Sequence, residues 1–302
     1  MTINSLLVFG ARGVQGHPVV DAALDAGLVV RAATRDVDAA EEKLSAKVDI
    51  VEADLTDAES IAEAADGMDA LFFHLPILPE GVAAADVVDN VIEASVRSGI
   101  QRLVFTTGEY CGDELPEGEF VSSMRMITKR LLDCPVDVVV LRPTLYLANL
   151  VWPHIIREVR DQGRLSYPPF SEKRRLNWTS TEDQARIVVA CLDAGVDGQM
   201  IDIASPEPVT GPEMCRYLSR VWNREVHYAP QSNDDFADML SHLTGSARVA
   251  RALAGLYADI EKVGKNGPLV DTDALQERLG IRLTPVSEWV EDRLGALIEL
   301  YG

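Results

Sequence analysis

Short apolar runs alternate along the chain with segments of helical periodicity. The runs are bounded by turn residues and lie at 6–9, 28–33, 48–53, 70–75, 102–107 and 136–141. Between two of them, Val88, Val91 and Ile92 follow the spacing of one helix face, and Gly99 marks the end of that helix. Strands that are apolar at nearly every position predict a parallel sheet covered on both faces, because polar and apolar residues alternate only where one face of the sheet is exposed to solvent.

The second half of the chain has a different pattern. A helix is predicted around 150–161, a second helix within 179–195, a strand at 199–205 that could rejoin the sheet, and mainly helices afterwards, with one short strand candidate at 226–228. We therefore predict an α/β fold, a Rossmann-type doubly wound parallel sheet with a smaller, mostly helical C-terminal lobe. The Rossmann domain is expected over 1–148, with its sheet completed by 177–205, and the substrate-binding lobe over 149–176 and 206–302.

The charge balance narrows the classes of partner. The 302 residues include 28 lysines and arginines against 48 acids, for a formal net charge of -20. A surface this acidic repels phosphate backbones and anionic head groups, so we expect neither nucleic acid nor a membrane as partner. No run approaches the ~18 apolar residues that span a bilayer, and the N-terminus lacks the pattern of a secretory leader. We expect a cytoplasmic protein with a small-molecule substrate.

Cysteine spacing adds a further exclusion. The four cysteines lie far apart, with no histidines at metal-ligand spacing, which predicts free thiols and no metal site. They are Cys111, Cys134, Cys191 and Cys215. No catalytic triad or Walker loop is recognisable either.

The clearest motif is VFGARGVQG, which follows the first strand and opens the first helix. Its Gly10, Gly13 and Gly16 have the spacing of a dinucleotide-binding turn, in which the backbone must bend tightly and approach a pyrophosphate closely. The free amides of the helix N-terminus then bind the phosphate. We predict that these glycines and Val14 contact a dinucleotide; the alternative is a tight turn without a ligand.

The end of the second strand indicates which dinucleotide binds. A ribose 2′-hydroxyl needs an acid there, whereas a 2′-phosphate needs a cation. The strand delivers Thr34 and Arg35, with Asp36 next, and Arg12 in the glycine turn is a second guanidinium within reach. NADPH is favoured over NADH. The alternative is that Arg35 is a solvated surface residue paired with Asp36.

After the third strand, the segment EADLTD contains a further candidate. Asp54, followed by Leu55, is placed to bind the adenine amino group. Asp54 could equally be the N-cap of a helix that begins near Thr56 or Asp57, and the sequence leaves these two interpretations open.

These segments, together with FFHLP, VFTTGEY and VVVLRPTLYLANL, resemble the NmrA-like group of atypical short-chain dehydrogenases, which includes quinone and triphenylmethane-dye reductases and isoflavone-reductase-like proteins. The resemblance covers most of the chain. It implies that Leu75 and Pro76 lie along the ribose and nicotinamide side of the cofactor. It also implies that Thr106 and Thr107 lie beneath the nicotinamide and that residues 143–146, from Pro143 to Tyr146, lie over its ring.

The chain departs from the family pattern at the proton-transfer pair. Short-chain dehydrogenases use a Tyr-x-x-x-Lys pair, and its positions fall here on Phe120 and Met124. Lys129 cannot replace the lysine, because Arg125 stands four residues before it. Reduction of simple ketones by the usual pair is therefore not expected.

Few titratable or aromatic residues remain near the expected nicotinamide. Tyr110 is the candidate proton donor, the alternative being a packing tyrosine at a loop entrance. His74 and Tyr146 are candidate substrate contacts, although His74 could be only a polar strand-end residue. Trp152 is a third candidate, with a core aromatic as the alternative.

The residues favour an NADPH-dependent oxidoreductase whose acceptor is conjugated or quinone-like, because such a molecule takes a hydride with little help from a protein acid. Two other functions are also compatible with the absence of the Tyr-x-x-x-Lys pair. One is a non-catalytic NADP(H)-binding redox sensor that reports to a regulatory protein partner. The other is a redox-neutral or cofactor-assisted step in a biosynthetic pathway. The sequence leaves open whether the chain forms a homo-oligomer.

Overall fold

Seven parallel strands form the central sheet of the computed structural model, which describes residues 2–193, 196, 200–263 and 269–294. The sheet contains β1 (Ser5–Phe9), β2 (Val29–Thr34), β3 (Asp49–Glu52), β4 (Ala70–His74), β5 (Arg102–Thr106), β6 (Asp137–Pro143) and β10 (Met200–Ile203). Two short pairs lie outside it, β7 (Leu145–Tyr146) with β9 (Trp178–Thr179) and β8 (Arg164–Leu165) with β11 (His227–Tyr228). The order across the sheet is β10-β6-β5-β4-β1-β2-β3, and every pairing in it is parallel.

Helices connect the strands and build the lobe. They are α1 (Gly16–Asp25), α2 (Val37–Glu41), α3 (Ala58–Ala65), α4 (Ala84–Ser98), α5 (Glu119–Leu132), α6 (Pro153–Gln162), α7 (Thr181–Ala190), α8 (Gly211–Val221), α9 (Asn233–Thr244), α10 (Ala247–Lys262), α11 (Thr272–Leu279) and α12 (Val286–Trp289). Side-chain caps fix several starts, as where the Thr210 hydroxyl and the Glu213 carboxylate form a capping box at α8. None of the described helices combines the length and the apolar run that a bilayer span requires.

The sheet is covered on both faces. Leu6 and Val8 of β1 pack into one buried cluster with α1 and α7, whereas Leu7 and Phe9 pack into another with α3, α4 and α5. Alternate side chains of one strand thus enter two separate cores, which explains why β1 is apolar from Leu6 to Phe9. The prediction of a doubly wound parallel sheet with a mostly helical C-terminal part is confirmed.

The second half builds a third core from aromatic residues. Tyr167, Trp178, Phe236 and Tyr257 are buried there, with ring centroids of neighbouring pairs 4.7 to 6.3 Å apart. The Tyr167 and Tyr257 hydroxyls are 2.9 Å apart, so their polar ends are satisfied inside the cluster. This core lies over the carboxyl-end side of β5 and β6, because Tyr110 and Leu145 belong to it.

The element boundaries differ slightly from the predictions. The helix expected around 150–161 is a 3-10 turn (Leu147–Val151) followed by α6, since Pro153 begins a new helix. The strand expected at 199–205 is β10, and the first residue of that segment lies outside the described residues, as do 194 and 195 of the segment 179–195. The short strand candidate at 226–228 is β11.

Candidate functional site

Two residues meet where the strand order reverses. Gly10 follows β1, and His74 ends the neighbouring β4. The chain leaves β1 towards β2 on one side and continues from β4 towards β5 on the other, and ligands of such sheets bind in the crevice at this switch point. A Cβ on Gly10 would lie only 2.6 Å from Nε2 of His74, and Gly10 has a φ of +71°. Only glycine fits at position 10, for reasons of space and of backbone conformation.

The other two glycines of the turn have different constraints. A Cβ on Gly16 would lie 2.3 Å from the carbonyl oxygen of Gly10, so α1 can pack against β1 only without a side chain at that position. A Cβ on Gly13 would meet only that same oxygen, at 3.1 Å, and is otherwise in open space. Val14 beside it is 64% exposed. The turn therefore leaves an open concavity above Gly13 where a phosphate could approach the backbone.

The start of α1 suits an anion. No side chain caps this helix among the described residues, and its first turn contains no acid. Uncapped amides carry the positive end of the helix dipole and attract phosphate. The glycine turn thus has the shape and the electrostatics that a pyrophosphate requires.

Cations and one carboxylate surround the end of β2. Nη1 of Arg12 lies 3.4 Å from Oδ2 of Asp36 and donates to the Asp36 carbonyl oxygen at 3.3 Å. Nζ of Lys43 donates to the Arg12 carbonyl oxygen at 2.7 Å. Arg35 is exposed and makes no ion pair with any described residue. The alternative in which Arg35 pairs with Asp36 is therefore wrong, because Asp36 pairs with Arg12. The Asp36 carboxylate also caps α2 by accepting from the Ala39 amide.

The structure also separates the two interpretations of Asp54. The N-cap of α3 is Asp57, whose carboxylate accepts from the amides of Glu59 and Ser60. Oδ1 of Asp54 accepts from the amide and the hydroxyl of Thr56, each at 2.9 Å, and its Oδ2 makes no hydrogen bond within the described residues. The N-cap interpretation of Asp54 is wrong. Leu55 is buried beside it, 9% exposed, so it can present only an edge to a ligand.

A hydrogen-bonded cluster lies at the ends of β5 and β7. The Tyr146 hydroxyl is 2.6 Å from Oε1 of Gln184 and 2.9 Å from Oε1 of Gln15. The Thr106 hydroxyl donates to the same Gln184 oxygen at 3.3 Å. Gln15 belongs to the glycine turn, so this cluster joins the turn to the segment 143–146. Sequence reasoning missed Gln15 and Gln184, which are 169 positions apart in the chain.

The remaining residues that the resemblance placed along the cofactor differ in exposure. Leu75 is partly buried against the core on the α3–α5 side, and Pro76 is exposed. Pro143 is the buried last residue of β6. The Thr107 hydroxyl donates to the carbonyl oxygen of Glu109 at 2.7 Å, which fixes the loop after β5. All four lie at the carboxyl edge of the sheet or directly after it.

Tyr110 and Glu109 follow β5 and have opposite surroundings. The Tyr110 hydroxyl donates to Oε1 of Glu114 at 2.7 Å, and burial raises the pKa of this tyrosine well above its usual value. Oε2 of Glu109 is shielded from solvent and has no hydrogen-bond partner among the described residues. Burial raises the pKa of Glu109 to about 8. Sequence reasoning missed Glu109, because nothing in TTGEYCG shows which of its polar side chains is buried.

The candidate substrate contacts His74 and Trp152 have different surroundings. Burial lowers the pKa of His74, so the ring is neutral at physiological pH; its Nδ1 lies 3.3 Å from the Leu75 carbonyl oxygen. Trp152 is half-buried, with its ring centroid 5.4 Å from that of Tyr167 and 5.6 Å from that of His154. Trp152 thus belongs to the wall of the aromatic core.

The positions assigned to the usual proton-transfer pair lie on α5. Met124 is buried in the core on the α3–α5 side, and Phe120 is partly buried between two cores. The Lys129 side chain is 75% exposed and pairs with Asp133 one turn later. Lys129 therefore points to solvent, away from the strand ends.

No cluster of metal-ligating side chains occurs within the described ranges. The four cysteines are free, and three of them are buried in the described structure.

Comparisons with known proteins give a family and a fold. The profile of the NmrA-like family matches residues 2–290. The NAD(P)H azoreductase of Xenophilus azovorans is 23% identical over 256 residues, which cover 84% of this chain and 86% of that protein.

Two solved structures are similar over nearly the whole chain. The NADPH-dependent quinone oxidoreductase of Escherichia coli, complexed with NADPH, has a TM-score of 0.76 at 20% identity and covers 98% of this chain and 100% of its own. The triphenylmethane reductase of Citrobacter, complexed with NADP(H), has a TM-score of 0.76 at 21% identity, with 95% and 99% covered. At these identities the likeness shows the fold.

Proposed function

Because this chain belongs to the NmrA-like family, whose profile matches residues 2–290, we propose that it is an NADPH-dependent oxidoreductase acting on a quinone-like or otherwise conjugated small molecule. The family match confirms the resemblance carried by segments such as VFGARGVQG. Relatives named as an NAD(P)H azoreductase, a quinone oxidoreductase and a triphenylmethane reductase favour a conjugated acceptor.

The chain's own residues fit the cofactor at its pyrophosphate. The open space over Gly13 and the uncapped start of α1 together form a concave, positively polarised surface at the switch point. Gly10 and Gly16 keep this turn tight, and Val14 flanks it. When bound there, NADPH would supply the hydride.

The choice of NADPH rests on the charges beside the turn. Arg35 is exposed and unpaired within the described structure, so it is free to bind a 2′-phosphate. The partner of Arg12, Asp36, is a partly exposed carboxylate, and such pairs contribute only about 0–1 kcal/mol. A phosphate could therefore displace Asp36 from Arg12. Lys43 adds a third positive charge beside the turn.

Other contacts to the cofactor follow from the strand ends. We assign Asp54, through its free Oδ2, and Leu55 to the adenine side. The ribose and nicotinamide side belongs to Leu75, Pro76, Thr106, Thr107 and Pro143. His74, Tyr146 and Trp152 are the substrate-side residues of this proposal.

The acceptor class follows from the proton-transfer groups. Phe120 and Met124 cannot exchange a proton, and the exposed Lys129 is paired with Asp133. A ketone needs a strong proton donor as the hydride arrives, whereas a quinone, whose reduction is favoured by aromatic stabilisation, can be reduced with a weaker donor than the Tyr/Lys pair. Position and orientation of the acceptor then supply most of the rate.

The observation that carries the proposal is the open space over Gly13 at the uncapped start of α1, beside Arg12, Arg35 and Lys43. The test is to titrate the purified protein with NADPH and NADH by fluorescence, and then to follow nicotinamide absorbance with a panel of quinones. Turnover supports the oxidoreductase. Tight NADPH binding without turnover supports the redox sensor instead, conversion without net oxidation of NADPH supports the redox-neutral step, and failure to bind NADPH overturns the cofactor assignment.

A further inference from the structure

Glu109 carries an unpaired buried carboxyl oxygen at the carboxyl edge of the sheet. It lies in the loop directly after β5, whose last residue is Thr106. Glu109 as a whole is only partly buried, but its Oε2 is shielded from solvent and makes no hydrogen bond to any described residue. Ionising a carboxyl group in such a place is costly, because no donor replaces the lost water. A carboxyl group that stays neutral in this place keeps its proton and can donate it to a bound molecule.

The groups that face Glu109 do not stabilise its charge. A charge on Glu109 raises the pKa of the phenols of Tyr146, Tyr167 and Tyr257, which belong to β7, the loop after β8, and α10. Each phenol already has partners: Tyr146 binds two glutamines, and the other two phenols bind each other. Among the described residues no lysine, arginine or histidine counters the effect of burial on Glu109, whose pKa is raised to about 8.

The other candidate donors are less suited. The Tyr110 proton is held by Glu114 at 2.7 Å, and the pKa of Tyr110 is raised. Burial lowers the pKa of His74, so at neutral pH its ring is uncharged and lacks the second proton that an imidazolium would donate. Lys129 is turned outward. Among these groups, Glu109 is the one with a shielded, unpartnered oxygen, and burial raises its pKa to about 8.

We propose that Glu109 is the catalytic proton donor of this site and that the substrates it serves are neutral acceptors such as quinones. NADPH bound at the site would supply a hydride to the acceptor, and the Glu109 carboxyl would donate its proton to the acceptor oxygen that becomes negative. The acceptor is thereby reduced by two electrons, NADPH is oxidised to NADP+, and the Glu109 carboxylate regains a proton from water after product release.

This inference rests on the proposed oxidoreductase function, and a pair of acceptors separates the two. Reduction of a neutral quinone requires a hydride and a proton. Reduction of a cationic triphenylmethane dye requires only the hydride, because hydride addition neutralises the central carbon. A proton donor should therefore matter for the first acceptor and not for the second.

The experiment compares three proteins with the unaltered chain. Glu109→Gln keeps the shape of the side chain but cannot donate a carboxyl proton. Glu109→Asp keeps the carboxyl group on a side chain that is one methylene shorter. Glu63→Gln is the matched control, because Glu63 is an exposed acid of α3. Each protein is assayed with NADPH and a benzoquinone, and with NADPH and malachite green, from about pH 6 to about pH 9.

A second readout does not depend on turnover. Infrared difference spectroscopy of the protein without cofactor follows the carbonyl stretch of protonated carboxyl groups. A band should be present near neutral pH, disappear as the pH rises through about 8, and be absent in Glu109→Gln. Circular dichroism of Glu109→Gln shows whether this variant still folds.

We expect Glu109→Gln to lower kcat for the quinone by about 100-fold while dye reduction changes less than about threefold. The quinone rate of the unaltered protein should fall above about pH 8, and Glu109→Asp should recover part of it. Equal losses on both acceptors would assign Glu109 a structural role, and an unchanged quinone rate would exclude it as the donor; either result overturns the proposal. If the protein does not reduce the dye, the pH dependence of quinone reduction decides: a quinone rate that does not fall above about pH 8 overturns the proposal. If the unaltered protein reduces neither acceptor, the oxidoreductase function fails as well, whatever the infrared band shows.

Discussion

The imidazole of His74 occupies the space that a side chain at Gly10 would need, with Nε2 only 2.6 Å from the position of a Cβ. These residues end β4 and β1 at the switch point of the sheet. Gly10 also has a φ of +71°, which L side chains rarely adopt. The His74 ring is thus packed directly on the backbone of the glycine turn.

Gly10→Ala should lower the free energy of unfolding by about 2–4 kcal/mol, the sum of overpacking and a left-handed alanine. In the double variant Gly10→Ala/His74→Ala, the steric part of the loss should disappear while the backbone part remains. A double-mutant cycle by urea unfolding measures the coupling. Strictly additive effects would contradict the contact between the two residues.

Gly13 and Gly16 should respond differently to alanine. Gly13→Ala should fold normally and lose at least about tenfold in NADPH affinity, because the new methyl group projects into open space that the phosphate would occupy. Gly16→Ala should unfold at lower urea concentration, since its Cβ would meet the Gly10 carbonyl at 2.3 Å. Gly255→Ala in α10 is the control, because a Cβ there meets nothing. Unchanged NADPH affinity in folded Gly13→Ala, measured by calorimetry, would refute the placement of the pyrophosphate.

Arg35→Ala should weaken NADPH binding by about 1.5–3 kcal/mol, the scale of a lost charge-assisted contact, while NADH binding stays nearly unchanged. The reason is that Arg35 is exposed and has no partner to release within the described structure. Fluorescence titration with both nucleotides measures the difference. Equal losses for NADPH and NADH would mean that Arg35 does not read the 2′-phosphate.

Asp36→Asn should have the opposite effect on NADPH. The substitution removes the carboxylate that holds Arg12, whose Nη1 is 3.4 Å away, but an asparagine can still cap α2. We expect NADPH affinity to rise by about 0.3–1 kcal/mol, the range of an exposed ion pair. NADH affinity should not rise. A gain for both nucleotides would point to a general change of charge rather than to release of Arg12.

Glu109 should make the folded protein less stable at alkaline pH. Its pKa rises from 4.5 in the unfolded chain to about 8 on folding. Between these values the folded state binds the extra proton, so stability falls as the pH rises through this window and levels off above it. The Tm of Glu109→Gln, measured by scanning calorimetry, should therefore decline less than that of the unaltered protein. Parallel Tm curves for the two proteins would show that Glu109 is not protonated in the native state.

Tyr110→Phe tests the competing donor. The Tyr110 hydroxyl is already bound to Glu114 at 2.7 Å, so we expect quinone turnover to change by less than about threefold and stability to fall by about 1 kcal/mol. A turnover loss of about 100-fold, measured at saturating NADPH, would instead make Tyr110 the general acid. The assignment of Tyr110 as the catalytic residue stays a prediction until this is measured.

The sequence by itself determined the sheet and the glycine turn. Apolar runs identified β1 to β6, because a strand buried on both faces must be apolar at nearly every position. The spacing of Gly10, Gly13 and Gly16 was informative because the constraint on such a turn is local to the backbone. The placement of Arg35 after β2 depended on the same short-range geometry.

Only the tertiary structure decided how the strand ends meet. The sequence could not show that Asp36 pairs with Arg12 rather than Arg35, or that Tyr146 reaches Gln184, 38 positions away. Glu109 also lies close enough to Tyr167 and Tyr257, residues far along the chain, for its charge to raise the pKa of both phenols. Strand and turn patterns depend on residues close together in the chain, so the sequence alone can predict them. Pairing and desolvation of polar side chains depend on which segments the completed fold brings together.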